Sequence, residues 1–229
     1  MRSEFFFLEY EISQIQYHLK FNSSAMNNYQ GIFRQWLLDK SKDMPKTQKE
    51  TFLSLHTDEL TNMHFALPTI FYSSFIVTWF SFVEANLLEI CKKLDFKVTI
   101  GVKEKIDIRD GVDRARAFLS KGAGYNFEKN IWDEIIFIRK IRNIIVHHQG
   151  RIDYSYFKTE QNAVRLKPFG DEIYIPIDKN FLEYLENNNL YNIFEYFEIC
   201  PNHGYCQHLV NLAKELFNDL DKKLPHKKE

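Results

Sequence analysis

Three cysteines in 229 residues form an odd and sparse set, which excludes a disulfide scaffold and predicts a reducing, cytoplasmic setting. An excess of one charge is also missing, since 30 Lys and Arg stand against 31 Asp and Glu, for a formal net charge of -1. A strongly basic chain would imply non-specific binding to nucleic acid; this balance does not, and leaves only room for a local basic patch. No signal peptide is expected, because Glu4, Glu9 and Glu11 interrupt the apolar run of MRSEFFFLEYEIS and no small-residue cleavage site follows. No membrane span is expected either. The longest apolar stretch, FYSSFIVTWFSFVEANLLEIC, is punctuated by Ser73, Ser74, Thr78, Ser81, Glu84 and Asn86. A span needs roughly 20 predominantly apolar residues, so this stretch reads as a buried helix. Internal repeats, low-complexity blocks and long linkers are absent, which favours one mainly helical domain over residues 1–229.

What is present is material for a sizeable core, with 45% hydrophobic and 16% aromatic residues. Phe5, Leu8, Ile12, Ile15 and Leu19 predict a helix over 4–20; Ile32, Phe33, Trp36 and Leu37 predict a second over 25–40. After the polar loop at Pro45 comes a shorter helix near 47–63, and Pro68 precedes a long helix over 69–94. On that helix Ile76, Trp79, Phe80, Val83, Leu87, Ile90 and Leu94 form one apolar face. Glu84 sits on its shoulder, placed to meet a neighbouring helix. Further helices are predicted over 103–121 and 127–148, the latter stopped at Gly150. Alternation around Gly170-Asp171 predicts a small β-hairpin near 163–177, and two more helices are expected in NFLEYLENNNLYNIFEYFE and CQHLVNLAKELFNDLDKKL. The whole reads as an up-and-down helical bundle, with residues 1–65 as an N-terminal helical extension and 66–224 as the core.

One segment breaks its own pattern. In NIWDEIIFIRKIRNIIVHHQGRID, Ile131, Ile135, Ile138 and Ile145 mark a buried stripe, and Arg142 falls within it. Burying an unpaired charge costs far more than burying a leucine gains. A carboxylate such as Glu84, a second protein chain or a phosphate would offset that cost. Asn143 and His147 are four apart and share a helix face. Arg142 and His147 are five apart, about 140° around a straight helix. They converge only if the last turn distorts or if the cavity spans more than one chain. The chemistry such residues suit is cleavage of RNA by its own 2′-hydroxyl. A neutral histidine accepts that proton, an imidazolium protonates the leaving oxygen, and an arginine stabilises the charge developing on phosphorus. No metal or other cofactor is needed.

RNIIVH matches the R-polar-x-x-x-H motif of the HEPN superfamily, with Arg142, Asn143 and His147 at its named positions. The preceding helix, with Glu84 in FVEANLLEIC, is similar to the earlier core helix of such domains, and in outline the resemblance covers residues 70–220. It implies a HEPN-type helical bundle and a homodimer whose Arg142/His147 helices meet across the interface. It further implies a metal-independent endoribonuclease that leaves 2′,3′-cyclic phosphate, acting on tRNA or mRNA as a toxin or antiphage abortive-infection effector. An antitoxin or regulatory partner goes with that role. On this resemblance Arg142, His147, Asn143 and Glu84 are the catalytic set, Asn143 orienting and Glu84 holding the arginine. Some toxin members carry a tyrosine two positions after the histidine; here it is Gln149. The rivals are a catalytically silent HEPN module that binds RNA, a nucleotide or a partner protein, and a structural adaptor built on a buried Arg142–Glu84 pair.

Two other stretches hold residue types that could bind a ligand. CPNHGYCQH holds Cys200, His203, Cys206 and His208, but the spacing is not a zinc knuckle and no second pair exists, so no metal is expected. DFKVTIGVKEKIDIRDGVDRARAF reads as a solvated face or, with Lys92, Lys93 and Arg151, as a path for an RNA backbone. The aromatic residues fall mostly at core spacing and are not read as base-stacking platforms.

Overall fold

The apolar stripe of the long central helix organises everything else. The computed structural model describes residues 3–95, 111–152, 164–166, 173–175, 178–193 and 197–224. Helix α4, Leu67–Asp95, buries Ile76, Trp79, Phe80, Val83 and Leu87 along the face that the periodicity predicts. Packed on it are α5 (Gly111–Ala123), α6 (Lys129–His148) and α8 (His203–Lys223), while α1 (Ser3–Ser41) lies chiefly along α8. Helix α6 buries Ile131, Trp132, Ile135, Ile138, Ile141 and Ile144. Each such side chain contributes roughly 1.5–3 kcal/mol. The ion pairs flanking α6, Arg139–Asp113 at 2.9 Å and Lys140–Asp178 at 3.2 Å, are partly exposed. Such pairs contribute about 0–1 kcal/mol, so the stripe and not the charges holds α6 in place.

The molecule is mainly helical with small antiparallel β elements, and its departures from the sequence expectations have local causes. The two N-terminal helices are one continuous helix of 39 residues. Polar residues that would have capped a second helix are engaged elsewhere: Asn22 Nδ2 donates to the His18 carbonyl at 2.9 Å, and Ser23 Oγ lies 2.9 Å from His203 Nδ1. The helix expected near 47–63 is split into α2 (Lys46–Leu55) and α3 (Thr57–Thr61), followed by a π-helical turn, Asn62–Ala66, that runs directly into α4. That widened turn lies just before Pro68, which has no N–H for a tighter turn and whose ring would crowd it.

The helix expected through 180–198 stops early. Helix α7, Lys179–Asn187, is capped by Asp178, which accepts from the Asn180 N–H at 2.9 Å. The following Asn189 takes a φ of 51°, and the Leu190 N–H returns to the Leu185 carbonyl at 2.9 Å. The chain then forms a hairpin, numbered β4 (Tyr191–Ile193) and β5 (Phe197–Ile199), with β5 also paired to β1 (Arg151–Ile152). Tyr191 stacks on Phe197, ring centroids 4.5 Å apart, an aromatic cross-strand pair that favours strand over helix here. The hairpin expected near 163–177 is present as β2 (Val164–Leu166) against β3 (Ile173–Ile175), antiparallel, with Arg165 opposite Tyr174. Its turn at Gly170-Asp171 lies outside the described residues, as do positions 103–110 of the expected helix over 103–121.

The helical run Thr57–Leu94 is long and apolar enough by composition to cross a membrane, with a mean hydropathy of 1.5 in its best window. Its most apolar face is nonetheless the one that forms the centre of the bundle. Several expected core positions are surface ones. Phe7, Tyr10, Tyr17, Phe21, Tyr29 and Ile32 of α1 are all more than half exposed, so its aromatic residues are not mainly core.

Candidate functional site at the end of helix α6

The motif sits on the last two turns of α6. The buried stripe does not pass through Arg142, as the isoleucine spacing suggests. It steps by three residues from Ile138 to Ile141 to Ile144, and each three-residue step rotates about 60° around the helix. Arg142 therefore stands beside the stripe, half-buried. Its Nη1 donates to Asn143 Oδ1 at 2.9 Å, while its Nε is buried without a hydrogen-bond partner among the described residues. A buried, unsatisfied N–H costs about 1–3 kcal/mol, so this guanidinium favours any acceptor that reaches it.

His147 is exposed. Helix α6 stays regular through His148 and ends with Gln149 at φ 54° and Gly150 at φ 81°. The Gly150 N–H returns to the Ile144 carbonyl at 3.2 Å, and the Gly150 carbonyl accepts from the Ile199 N–H at 2.8 Å, fastening β5 to the helix end. With no distortion before the cap, Arg142 and His147 keep their angular separation within one chain. Gly150→Ala is expected to lower stability by roughly 1–2 kcal/mol, the cost of a left-handed backbone for an L-residue. A Cβ at this position would meet only the Ile199 carbonyl, at 3.7 Å, so strain and not collision sets the loss, which urea titration measures.

Glu84 is elsewhere. Its carboxylate lies against Gly111, the first residue of α5, so closely that a Cβ on Gly111 would sit 2.5 Å from Glu84 Oε1. A carboxylate at a helix N-terminus is favourable through the helix dipole. Among the described residues Glu84 forms no ion pair with Arg142, so the expectation that it holds the arginine is not met; Asn143 contacts Arg142 instead of orienting His147.

Between the start of α4, the end of α6 and β5 lies a groove of about 430 Å³. Thr69, Ile70, Ser73, Ser74, Val77 and Thr78 line it from α4, Ile145, Gln149 and Gly150 from α6, and Glu198 and Ile199 from β5. The expected basic path is weaker than its composition. Lys92 and Lys93 both reach Glu89, at 3.5 and 4.0 Å, and Arg116 lies over the Trp132 ring at 4.5 Å. Most of the remaining basic run lies outside the described residues.

The four ligand-type residues of CPNHGYCQH have separate partners. Burial pushes the Cys200 thiol up to about 11 and the Cys206 thiol higher still. His203 bonds Ser23, and His208 Nε2 pairs with Glu134 Oε1. Glu134 was not singled out by the sequence, yet it joins three helices. It also accepts from Tyr184 Oη at 3.0 Å, which lies 2.9 Å from Tyr205 Oη. Its partners come from residues 50 and more away, so no local spacing signals it.

The hydrogen bond to Glu134 raises the His208 pKa above its ordinary 6.5. The unfolded chain binds that proton less tightly. The pair therefore stabilises the fold fully below pH 6.5, and its contribution is lost as pH rises through the raised folded value. The melting-temperature deficit of His208→Ala is expected to be larger at about pH 5.5 than at about pH 8.5. An equal deficit at both would mean that packing, not charge, is what His208 supplies.

Comparison with family models, with curated proteins and with solved structures finds no match to this chain.

Proposed function

We propose that this protein is a metal-independent endoribonuclease of HEPN type, acting as a homodimer with α6 of each copy at the cleft. The observation that carries this reading is Arg142: half-buried, held by Asn143, with a buried Nε that has no partner among the described residues, on the same regular helix as an exposed His147. The adaptor alternative required an Arg142–Glu84 pair, which is not formed among the described residues. A second copy supplies what one chain lacks, because His147 of one protomer then faces Arg142 of its partner.

In that cleft His147 takes the proton of a ribose 2′-hydroxyl as O2′ attacks the adjacent phosphorus. The bond to the 5′-oxygen breaks, that oxygen takes a proton back from the imidazolium so formed, and the products carry a 2′,3′-cyclic phosphate and a 5′-hydroxyl. Arg142 donates to the phosphoryl oxygens as charge builds on them. Asn143 is a positioning residue that fixes the guanidinium. The nucleophile belongs to the RNA, so DNA is not a substrate by this route. Cleavage of cellular tRNA or mRNA in the cytoplasm would make the protein a toxin or an abortive-infection effector, restrained by an antitoxin or regulatory partner.

The test is incubation of the purified protein with tRNA and mixed single-stranded RNA in EDTA, with end-group analysis of the products. Cyclic-phosphate ends are the expected result. RNA binding without cleavage by a folded dimer would replace this reading with the silent binding module.

A further inference from the structure

The groove between α4, α6 and β5 has no part in the chemistry above. Ile70, Val77, Ile145 and Ile199 supply aliphatic surface. Two of its four hydroxyls are committed as donors: Ser74 Oγ donates to the Ile70 carbonyl and Thr78 Oγ1 to the Ser74 carbonyl, each at 2.9 Å. A hydroxyl whose proton is used in this way meets an occupant only as an acceptor. The one charged residue lining the groove is Glu198, which forms no ion pair or side-chain hydrogen bond among the described residues.

A groove of about 430 Å³ with aliphatic walls and one carboxylate suits a flat ligand that offers that carboxylate adjacent N–H donors. Among RNA bases only guanine offers two adjacent donors on one edge, N1–H and the N2 amino group, which a carboxylate accepts together. Adenine and cytosine place an acceptor beside their amino group, and uracil flanks its N–H with two carbonyls. Position also fits. Arg142, Ile145 and Gln149 fall within an arc of about 60° on α6, and the latter two lie about 4.5 and 10.5 Å beyond Arg142 along the axis. Those are nucleotide dimensions. In register, Arg151 of β1 stands opposite Glu198. We infer that this groove binds a guanine base through Glu198, so that the enzyme cuts RNA next to guanosine. The inference rests on the ribonuclease reading for its context, not for its ligand chemistry.

The test uses the full chain. GMP, IMP, AMP, CMP and UMP are titrated by calorimetry, and short RNA strands with one G or one inosine are titrated alongside. Glu198→Gln, and Thr78→Trp, which fills the groove from an exposed helix position, are compared with wild type after their melting curves show the fold retained. Guanine is expected to bind tighter than the other bases and than hypoxanthine by about tenfold or more, the usual worth of a paired base contact. Both substitutions are expected to erase that preference, and cleavage next to G with it. A guanine preference within a strand supports the inference; a preference for free GMP with none within a strand overturns the placement of guanine beside the cut. Equal binding of all bases, no binding, or a guanine preference untouched by Glu198→Gln overturns it. If RNA is then still cut in EDTA, the nuclease reading stands without the groove. If guanine selectivity depends on Glu198 but nothing is cut, the groove stands and the nuclease reading falls.

Discussion

Arg142→Ala and His147→Ala are each expected to lower RNA cleavage by about 10²–10³-fold, the usual loss when one transition-state donor or one proton-transfer group is removed. Neither is expected to unfold the protein. His147 is exposed, and Arg142 leaves behind only an Asn143 side chain that is itself half-buried. A mixture of the two inactive variants gives the sharper result. In a two-fold dimer with Arg142 and His147 drawn from opposite copies, half of randomly mixed dimers carry one intact site of two, so about a quarter of wild-type activity returns. If both residues act within one chain, mixing restores nothing. The regular course of α6 through His148 is the reason to expect return.

Trp79→Ala is expected to destabilise the bundle by about 3–5 kcal/mol, a large part of the roughly 5–15 kcal/mol that a domain possesses. Trp79 is 1% exposed at the middle of the buried face of α4, so its removal leaves a cavity bounded by several helices. One term works against the loss, since Trp79 Nε1 is buried with no partner among the described residues and its deletion removes an unsatisfied donor. Trp79→Phe removes the same donor while keeping most of the ring, and is expected to lose much less. Urea titration followed by far-ultraviolet circular dichroism compares the two; equal losses would mean that the ring packing Phe retains plays no part.

How much was legible follows from which signals are local. The face of α4 could be read because its seven residues obey one period, and the cap at Gly150 because a glycine after two histidines marks an end. The β4–β5 hairpin could not, because LYNIFEYFE fits helical spacing as well as alternating spacing, and the choice was made by Asn189 and by pairing with β1 across some 45 residues. The motif residues were legible as residue types, but their relations were not. Glu84 was placed by α5, which starts at Gly111, and the partner of Arg142 is its immediate neighbour. Glu134 was hidden because its partners are a tyrosine and a histidine from distant helices.

The far half of α1 has a thermal consequence. Beyond Ser23, only Leu37 and Ser41 of this helix are buried, and α2, α3 and the π-helical turn bury nothing. What holds this arm together is one aromatic cluster around His56, with Phe33, Trp36 and Phe52, and two polar ties, from Gln30 to the Met63 carbonyl and from Arg34 to His64. Elements held so lightly open long before a core of fully buried isoleucines does. Heating this chain therefore involves two equilibria, a shallow melting of the arm and a steep collapse of the bundle, and a single free energy of unfolding describes neither.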